Sequence, residues 1–285
     1  MSTTSIYKSA AGEQVALALY ENLLANWPVP HEERTIPTRH GDAFVVISGQ
    51  SDAPPLVLLH GAGSNAAIWA GDVVEYGRFF RCYAVDLLGE AGKSAPNRPA
   101  WDSPAYGEWL EDVLDGLGIT RAALAGISQG GWTALKFATR CPDRVERLVL
   151  MTPGGVTPDR ASFLVKAVAY SLLGKRGLTR MTRTLFGQQP VPDGVIDIVV
   201  TISQHFKPRV GTLPIFTDEE LRRLTMPVLL LGGDQDALRD MDRIAARLGA
   251  LLPDLRVTIL SGAGHALLDT VPHILPFLTV ERAPA

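Results

Sequence analysis

Ala122-Ala123-Leu124-Ala125-Gly126-Ile127-Ser128-Gln129-Gly130-Gly131 opens as a short apolar run, turns through Gly-x-Ser-x-Gly, and leads into a helical pattern from Trp132 to Thr139. Strand, tight turn, helix is the layout of a nucleophile elbow, in which the central side chain stands exposed at the end of a sheet. The turn needs small neighbours, because side chains at Gly126 or Gly130 would collide with nearby backbone. Ser128 is therefore read as the nucleophile.

Outward from this stretch the chain alternates. Ala43 to Ser48 reads as a strand. Leu56 to Leu59, Cys82 to Val85, Leu148 to Met151, Val228 to Leu231 and Val257 to Leu260 are short continuous apolar runs like Ala122 to Ala125. Continuous apolarity suits strands covered on both faces, and helical segments separate most of the runs. The expected class is α/β with a mainly parallel sheet. An N-terminal helix presents Val15, Leu19, Leu23 and Leu24 on one face and ends at Trp27-Pro28.

The alternation stops between Gly155 and Thr225. Ala161 to Phe186 reads as helix, with Leu164, Val168, Leu172 and Leu173 apolar. The expected organisation is one core, residues 1–155 and 226–285, with a helical cap inserted at 156–225. Lys166, Lys175, Arg176, Arg180 and Arg183 fall in the cap with no acid between Ala161 and Phe186. A solvated surface is the first reading of these bases, and a preference for acidic substrates or an anionic partner the second.

Composition sets the outer bounds. In 285 residues, 46% are hydrophobic and 20% charged, which excludes a disordered chain, and a net charge of −3 argues against a nucleic-acid binder. Cys82 and Cys141 are too few for a disulfide framework or a cysteine metal site, and no metal is expected. Without a signal-like or membrane-spanning stretch, the expected location is cytoplasmic.

Two other motifs point elsewhere. Gly61-Ala62-Gly63-Ser64-Asn65-Ala66 after a strand, with Asp86 ending the next one, has the outline of a dinucleotide site. His60 before the first glycine, and the hydrolytic residues below, count against it. Gly89-Glu90-Ala91-Gly92-Lys93-Ser94 ends like a phosphate loop, but Leu87 stands where the first glycine is needed, and Pro96 and Pro99 bar the helix.

A serine hydroxyl attacks only when a base takes its proton. Of six histidines, His265 stands on a glycine-rich loop after the last apolar run. His31 and His40 precede the sheet, His205 lies in the cap, and His273 sits between Pro272 and Pro276. The base needs an acid to hold its tautomer, and the turn Gly232-Gly233-Asp234-Gln235-Asp236 supplies two. Asp236 is preferred, since a carboxylate a few residues past the strand can curl back; Asp240 is a distant third. Asp86 is read as an acceptor for loop N–H groups. The oxyanion requires two donors, expected from the N–H groups of Gln129 and Ala62. Gly61, Trp69 and Trp132 are candidates for the pocket wall, with core packing an equal reading for both tryptophans.

Together these residues resemble the α/β-hydrolase superfamily, from about Thr35 to Leu278, and most closely the bacterial carboxylesterases of the carboxylesterase NP type. Trp27-Pro28-Val29, Ala53 to Gly61, Tyr83-Ala84-Val85-Asp86 and Phe216 to Leu221 carry the closer likeness. The resemblance implies an α/β-hydrolase fold with a helical cap, no cofactor, a small-molecule ester as partner, and a monomer or homodimer. It implies Ser128, Asp236 and His265 as the triad, its acid position falling on Asp236. Gln129 departs from the apolar residue common at that place. A lactone, thioester or carbon–carbon bond could replace the ester, and a non-catalytic receptor could reuse the fold.

Overall fold

The continuous apolar runs become the middle of an eight-stranded sheet. The computed structural model describes residues 5–163, 170, 172–209 and 211–280. Its strands are β1 (His31–Ile36), β2 (Ala43–Ser48), β3 (Pro55–Leu59), β4 (Arg81–Val85), β5 (Ala122–Ile127), β6 (Val145–Met151), β7 (Val228–Gly233) and β8 (Leu255–Leu260). They lie in the order β1-β2-β4-β3-β5-β6-β7-β8, with β2 antiparallel to both neighbours and β3 to β8 parallel.

Successive residues of β3 enter different cores, as the strand period requires. Val57 and Leu59 pack with Trp109, Leu110, Trp132 and Ile244. Leu56 and Leu58 pack with Tyr20, Trp69, Tyr76 and Phe277. The sheet is thus covered on both faces, which is why its central strands carry no polar alternation.

The edges depart from expectation. β1, His-Glu-Glu-Arg-Thr-Ile, has no apolar signal because only Ile36 is buried. It is an antiparallel edge whose charges discourage pairing with other chains. His31 therefore lies within the sheet rather than before it. β8 reads as buried but has a neighbour on one side only, and Val257 and Ile259 are exposed.

The N-terminal helix spans Ala10–Ala25, capped by the Ser9 side chain on Gly12 N–H. Its buried face is Ala16, Tyr20 and Leu24, whereas Val15 is exposed. That face is rotated from the one expected, because Tyr20 reaches inward to Asp86 and sets the helix's roll.

Between β6 and β7 the described residues hold no strand. They form helices Gly174–Phe186, Asp193–His205 and Asp218–Leu221. The single helix expected over 161–186 is interrupted, since Leu172 and Leu173 form an exposed turn. Leu164, Lys166 and Val168 lie outside the described residues. Lys175, Arg176, Arg180 and Arg183 are all exposed, consistent with a solvated face. Lys8 donates to the Ser203 and Gln204 carbonyls and so ties the chain's start to the end of Asp193–His205. Among the described residues no helix is long and apolar enough to cross a membrane.

Candidate active site

Ser128 joins β5 to the helix Gln129–Ala138 with φ 55° and ψ −110°, a left-handed conformation that is costly for serine. The surroundings hold it there. Ser128 N–H donates to the Met151 carbonyl, and its own carbonyl accepts from Trp132 and Gly154. A Cβ on Gly126 would strike Gly130 backbone, and one on Gly130 would strike the Leu59 and His60 carbonyls. Gly130→Ala should therefore cost about 3 kcal/mol or more, or leave no folded protein. Gly71→Ala, which meets nothing within 4 Å, should change stability by less than about 0.5 kcal/mol in the same denaturant titration.

The parallel register brings the ends of β3, β5, β6 and β7 to one side, and the remaining groups arrive there on loops. His265 Nε2 lies 2.9 Å from Ser128 Oγ, and His265 Nδ1 lies 2.9 Å from Asp236 Oδ2. Asp236 is 2% exposed and His265 8%. The other carboxylate oxygen of Asp236 accepts the N–H groups of Leu238 and Arg239 at 2.7 and 2.8 Å, which fixes its plane. Arg239 is itself buried in an ion pair with Asp159, and burial lowers its guanidinium to about 10. Asp234 instead accepts Gly262 N–H at 2.8 Å and remains exposed.

The His265 loop is held from two sides. Thr152 Oγ1 donates to the His265 carbonyl at 3.0 Å. From the insertion, Gln189 donates to the Ala266 carbonyl and accepts Leu268 N–H, while Gly264 and Ala266 N–H donate to the Phe186 and Leu185 carbonyls. Gln189 escaped sequence reasoning because nothing local marks it; its role depends on two loops 77 residues apart meeting.

Opposite the triad, the loop after β3 carries Gly61, Ala62 and Gly63. Among the described residues no acceptor takes the N–H of Ala62 or of Gln129. Gln129 begins its helix, where N–H groups have no partner within the helix and the helix dipole favours negative charge. Both N–H groups are thus free for an oxyanion.

This loop is anchored to the segment after β4. Asp86 accepts from Tyr20 Oη at 2.9 Å and from Ala66 and Lys93 N–H at 2.7 Å each. Burial pushes its carboxyl up to about 6, against the pull of these donors and of the Lys93 charge. The acid at the end of β4 is thereby occupied by the chain's own donors, which removes the dinucleotide reading. Gly92, part of the phosphate-loop outline, is glycine because a Cβ would strike the Asp86 carboxylate. His60 is structural too. Its Nδ1 faces the Gly61 carbonyl at 2.7 Å and its Nε2 accepts Leu87 N–H at 2.8 Å, while burial lowers it to about 4. With both ring nitrogens engaged and its basicity lowered by burial, this imidazole is not placed to act as a second base.

Ser128 and His265 open on a cavity of about 450 Å³, within the usual range for a small-ligand site. Gly61, Ala62 and Gly63 line one side. Leu23 enters from the N-terminal helix, and Phe163, Phe186, Ile198 and Ile202 from the insertion. Among the described residues His265 is the sole titratable side chain in this lining, and Lys175, Arg176, Arg180 and Arg183 do not reach it. Those four bases therefore agree with the first reading, a solvated surface, and Lys166 lies outside the described residues.

Two pocket assignments also change. Trp132 has no exposed surface; it packs edge-on to Trp101 and Tyr106 and donates to the Pro214 carbonyl at 3.1 Å. Helical spacing turns its ring into the core, away from the cavity. Trp69 is 2% exposed and borders an adjoining cavity of about 310 Å³ with Ile68 and Asp72, not the one that holds Ser128. Among the described residues no three His, Cys, Asp or Glu side chains gather as metal ligands.

Comparison with known proteins agrees with this geometry. The model of the alpha/beta hydrolase family matches residues 56–275. Carboxylesterase YbfK of Bacillus subtilis is 33% identical over 260 residues, 87% of this chain and 86% of that protein. Among solved structures, carboxylesterase CesB (YbfK) from B. subtilis superposes with a TM-score of 0.85 at 29% identity, covering 95% of this chain and 99% of the other. Naproxen esterase (carboxylesterase NP) from B. subtilis gives 0.84 at 27% identity, covering 95% and 100%. Strand order, elbow and sequence likeness lead to one conclusion: the chain belongs to the alpha/beta hydrolase family.

Proposed function

We propose that this protein is a serine carboxylesterase acting on small to medium, uncharged, apolar esters. The observation that carries the reading is the pair of 2.9 Å contacts linking Ser128 Oγ, His265 and Asp236. As Oγ attacks the ester carbonyl carbon, His265 Nε2 takes its proton, and Asp236 stabilises the imidazolium. The carbonyl oxygen becomes an oxyanion facing the N–H groups of Ala62 and Gln129. Collapse breaks the bond to the alcohol, which leaves with the proton from His265. Water, activated by the same nitrogen, then releases the acid and restores Ser128. The likeness to two carboxylesterases supports the choice of an ester bond.

The reading includes residues 156–225 as a cap that supplies the apolar wall, a cytoplasmic location, and a monomer or homodimer. Support for the cap is the strand-free stretch between β6 and β7 and its residues in the cavity lining.

Hydrolysis of p-nitrophenyl esters from acetate upward tests it. Each methylene buried is worth about 0.8 kcal/mol, so kcat/KM should rise roughly fourfold per carbon until the cavity is filled, then fall. An acyl group ending in a carboxylate should react at least about tenfold more slowly than its neutral isostere, because no lysine or arginine among the described residues lines the cavity. No turnover across the series would sink the reading.

A further inference from the structure

Glu90 lies on the turn after β4 and is 3% exposed, and its carboxylate neither touches the Ser128, His265 and Asp236 side chains nor itself lines the cavity. One oxygen accepts Gly63 N–H at 2.6 Å, and the other accepts the Gln129 side-chain amide at 3.0 Å. Those partners come from the two segments that carry the oxyanion donors. Gly63 is the residue after Ala62, and Gln129 is itself the second donor through its backbone.

The remaining ties of the loop act elsewhere. Asn65 donates to the Ala91 carbonyl at 2.9 Å and Ala66 donates to Asp86, so both hold its far half. Gly63 sits at φ +66°, a conformation open to a flexible residue and in need of an external hold. The polar side chain of Gln129, which departs from the family's usual apolar residue, also gains a purpose. It is 4% exposed and its amide donates to Glu90.

We propose that Glu90 is a positioning residue for the reaction, a single carboxylate that sets the separation of the Ala62 and Gln129 N–H groups. Two donors stabilise an oxyanion only when both point at the same oxygen, and they stand on separate segments of the fold. Glu90 bridges those segments directly, so its two hydrogen bonds transmit the loop's position to the elbow. Burial raises its pKa, while the Gly63 N–H, the Gln129 amide and the charges of Arg98 and Arg209 favour the ionised form. The inference rests on the esterase reading above.

The test uses kcat and KM for p-nitrophenyl butyrate, with thermal melts alongside. Glu90→Ala should lower kcat about 100-fold and leave KM within about threefold, the pattern of a contact that matters only in the transition state. Glu90→Gln should recover most of that loss, because the Gln129 amide can turn and accept from the new amide while Gly63 N–H keeps its acceptor. Gln129→Glu sets two carboxylates against each other and should lose at least as much as Glu90→Ala. The exchange E90Q/Q129E restores a donor–acceptor pair and should return to within about tenfold of wild type. A purely structural role predicts variants that melt earlier but keep the kcat of the folded enzyme, and the kcat of the exchange pair beside Gln129→Glu decides the matter should Glu90→Ala fail to fold. An active wild type whose Glu90→Ala variant keeps its kcat, or a double variant no better than Gln129→Glu, overturns the proposal alone. A wild type that hydrolyses no ester removes the esterase reading with it.

Discussion

Ser128→Ala is expected to lower kcat for p-nitrophenyl esters by about 10⁵- to 10⁶-fold, with KM nearly unchanged. The hydroxyl meets His265 Nε2 at 2.9 Å, so the substitution removes the nucleophile and little else. Alanine also suffers no more at φ 55° than serine does, and melting should shift by only a few degrees. His265→Ala should cost a similar factor, because without a base the hydroxyl is no better than an alcohol in water. The double variant should be less than about tenfold worse than either single one. Groups that act as a unit are lost as a unit, and the residual activity comes from the oxyanion donors and from binding. Stopped assays and active-site titration on all three proteins measure this. Losses that simply multiplied in the double variant would show that the two side chains act independently, against the geometry.

Asp236→Asn is expected to cost about 10⁴-fold in kcat, while Asp234→Asn stays within about twofold of wild type. The reason is which oxygen does what. In Asp236, Oδ1 accepts the Leu238 and Arg239 N–H groups, and Oδ2 faces His265 Nδ1 at 2.9 Å. Asparagine keeps its oxygen on the two N–H donors and turns its NH₂ toward the histidine. Nδ1 must then accept, which places the ring proton on Nε2, pointing at Ser128 Oγ. The base is present but in the wrong tautomer. Asp234 is different, since its single contact to Gly262 N–H survives in the carbonyl of asparagine. Stability should change little in either variant, so kcat isolates the tautomer effect. The opposite ranking would assign the triad acid to Asp234.

The sheet was readable because its strands are covered on both faces, which leaves unbroken apolar runs such as Leu56 to Leu59. The same rule fails at the edges, where β1 hides behind charged residues and β8 promises more burial than it receives. The elbow and its glycines were readable because a strained turn tolerates few residues, and backbone lies where a Cβ at Gly126 or Gly130 would go. Asp86 as an acceptor of loop N–H groups followed from its place after a strand, and it makes those contacts.

Other residues could not be read in this way. Trp69 and Trp132 are near Ser128 in sequence or motif but face the core, because the rotation of a helix or turn decides the side on which a ring lies. Gln189 and Glu90 carry no local signal at all. Each is defined by partners from distant segments, and only the folded chain brings those partners within 3.0 Å. Local chemistry in the sequence determined the class of fold and marked Ser128, Asp236 and His265 as candidates, because strain and continuous burial narrow the choice of residue there. The contents of the cavity, the burial of Asp236 against the exposure of Asp234, and the contacts of Glu90 with Gly63 and Gln129 were decided by the tertiary structure. They are long-range contacts, and no short pattern encodes which loops will meet.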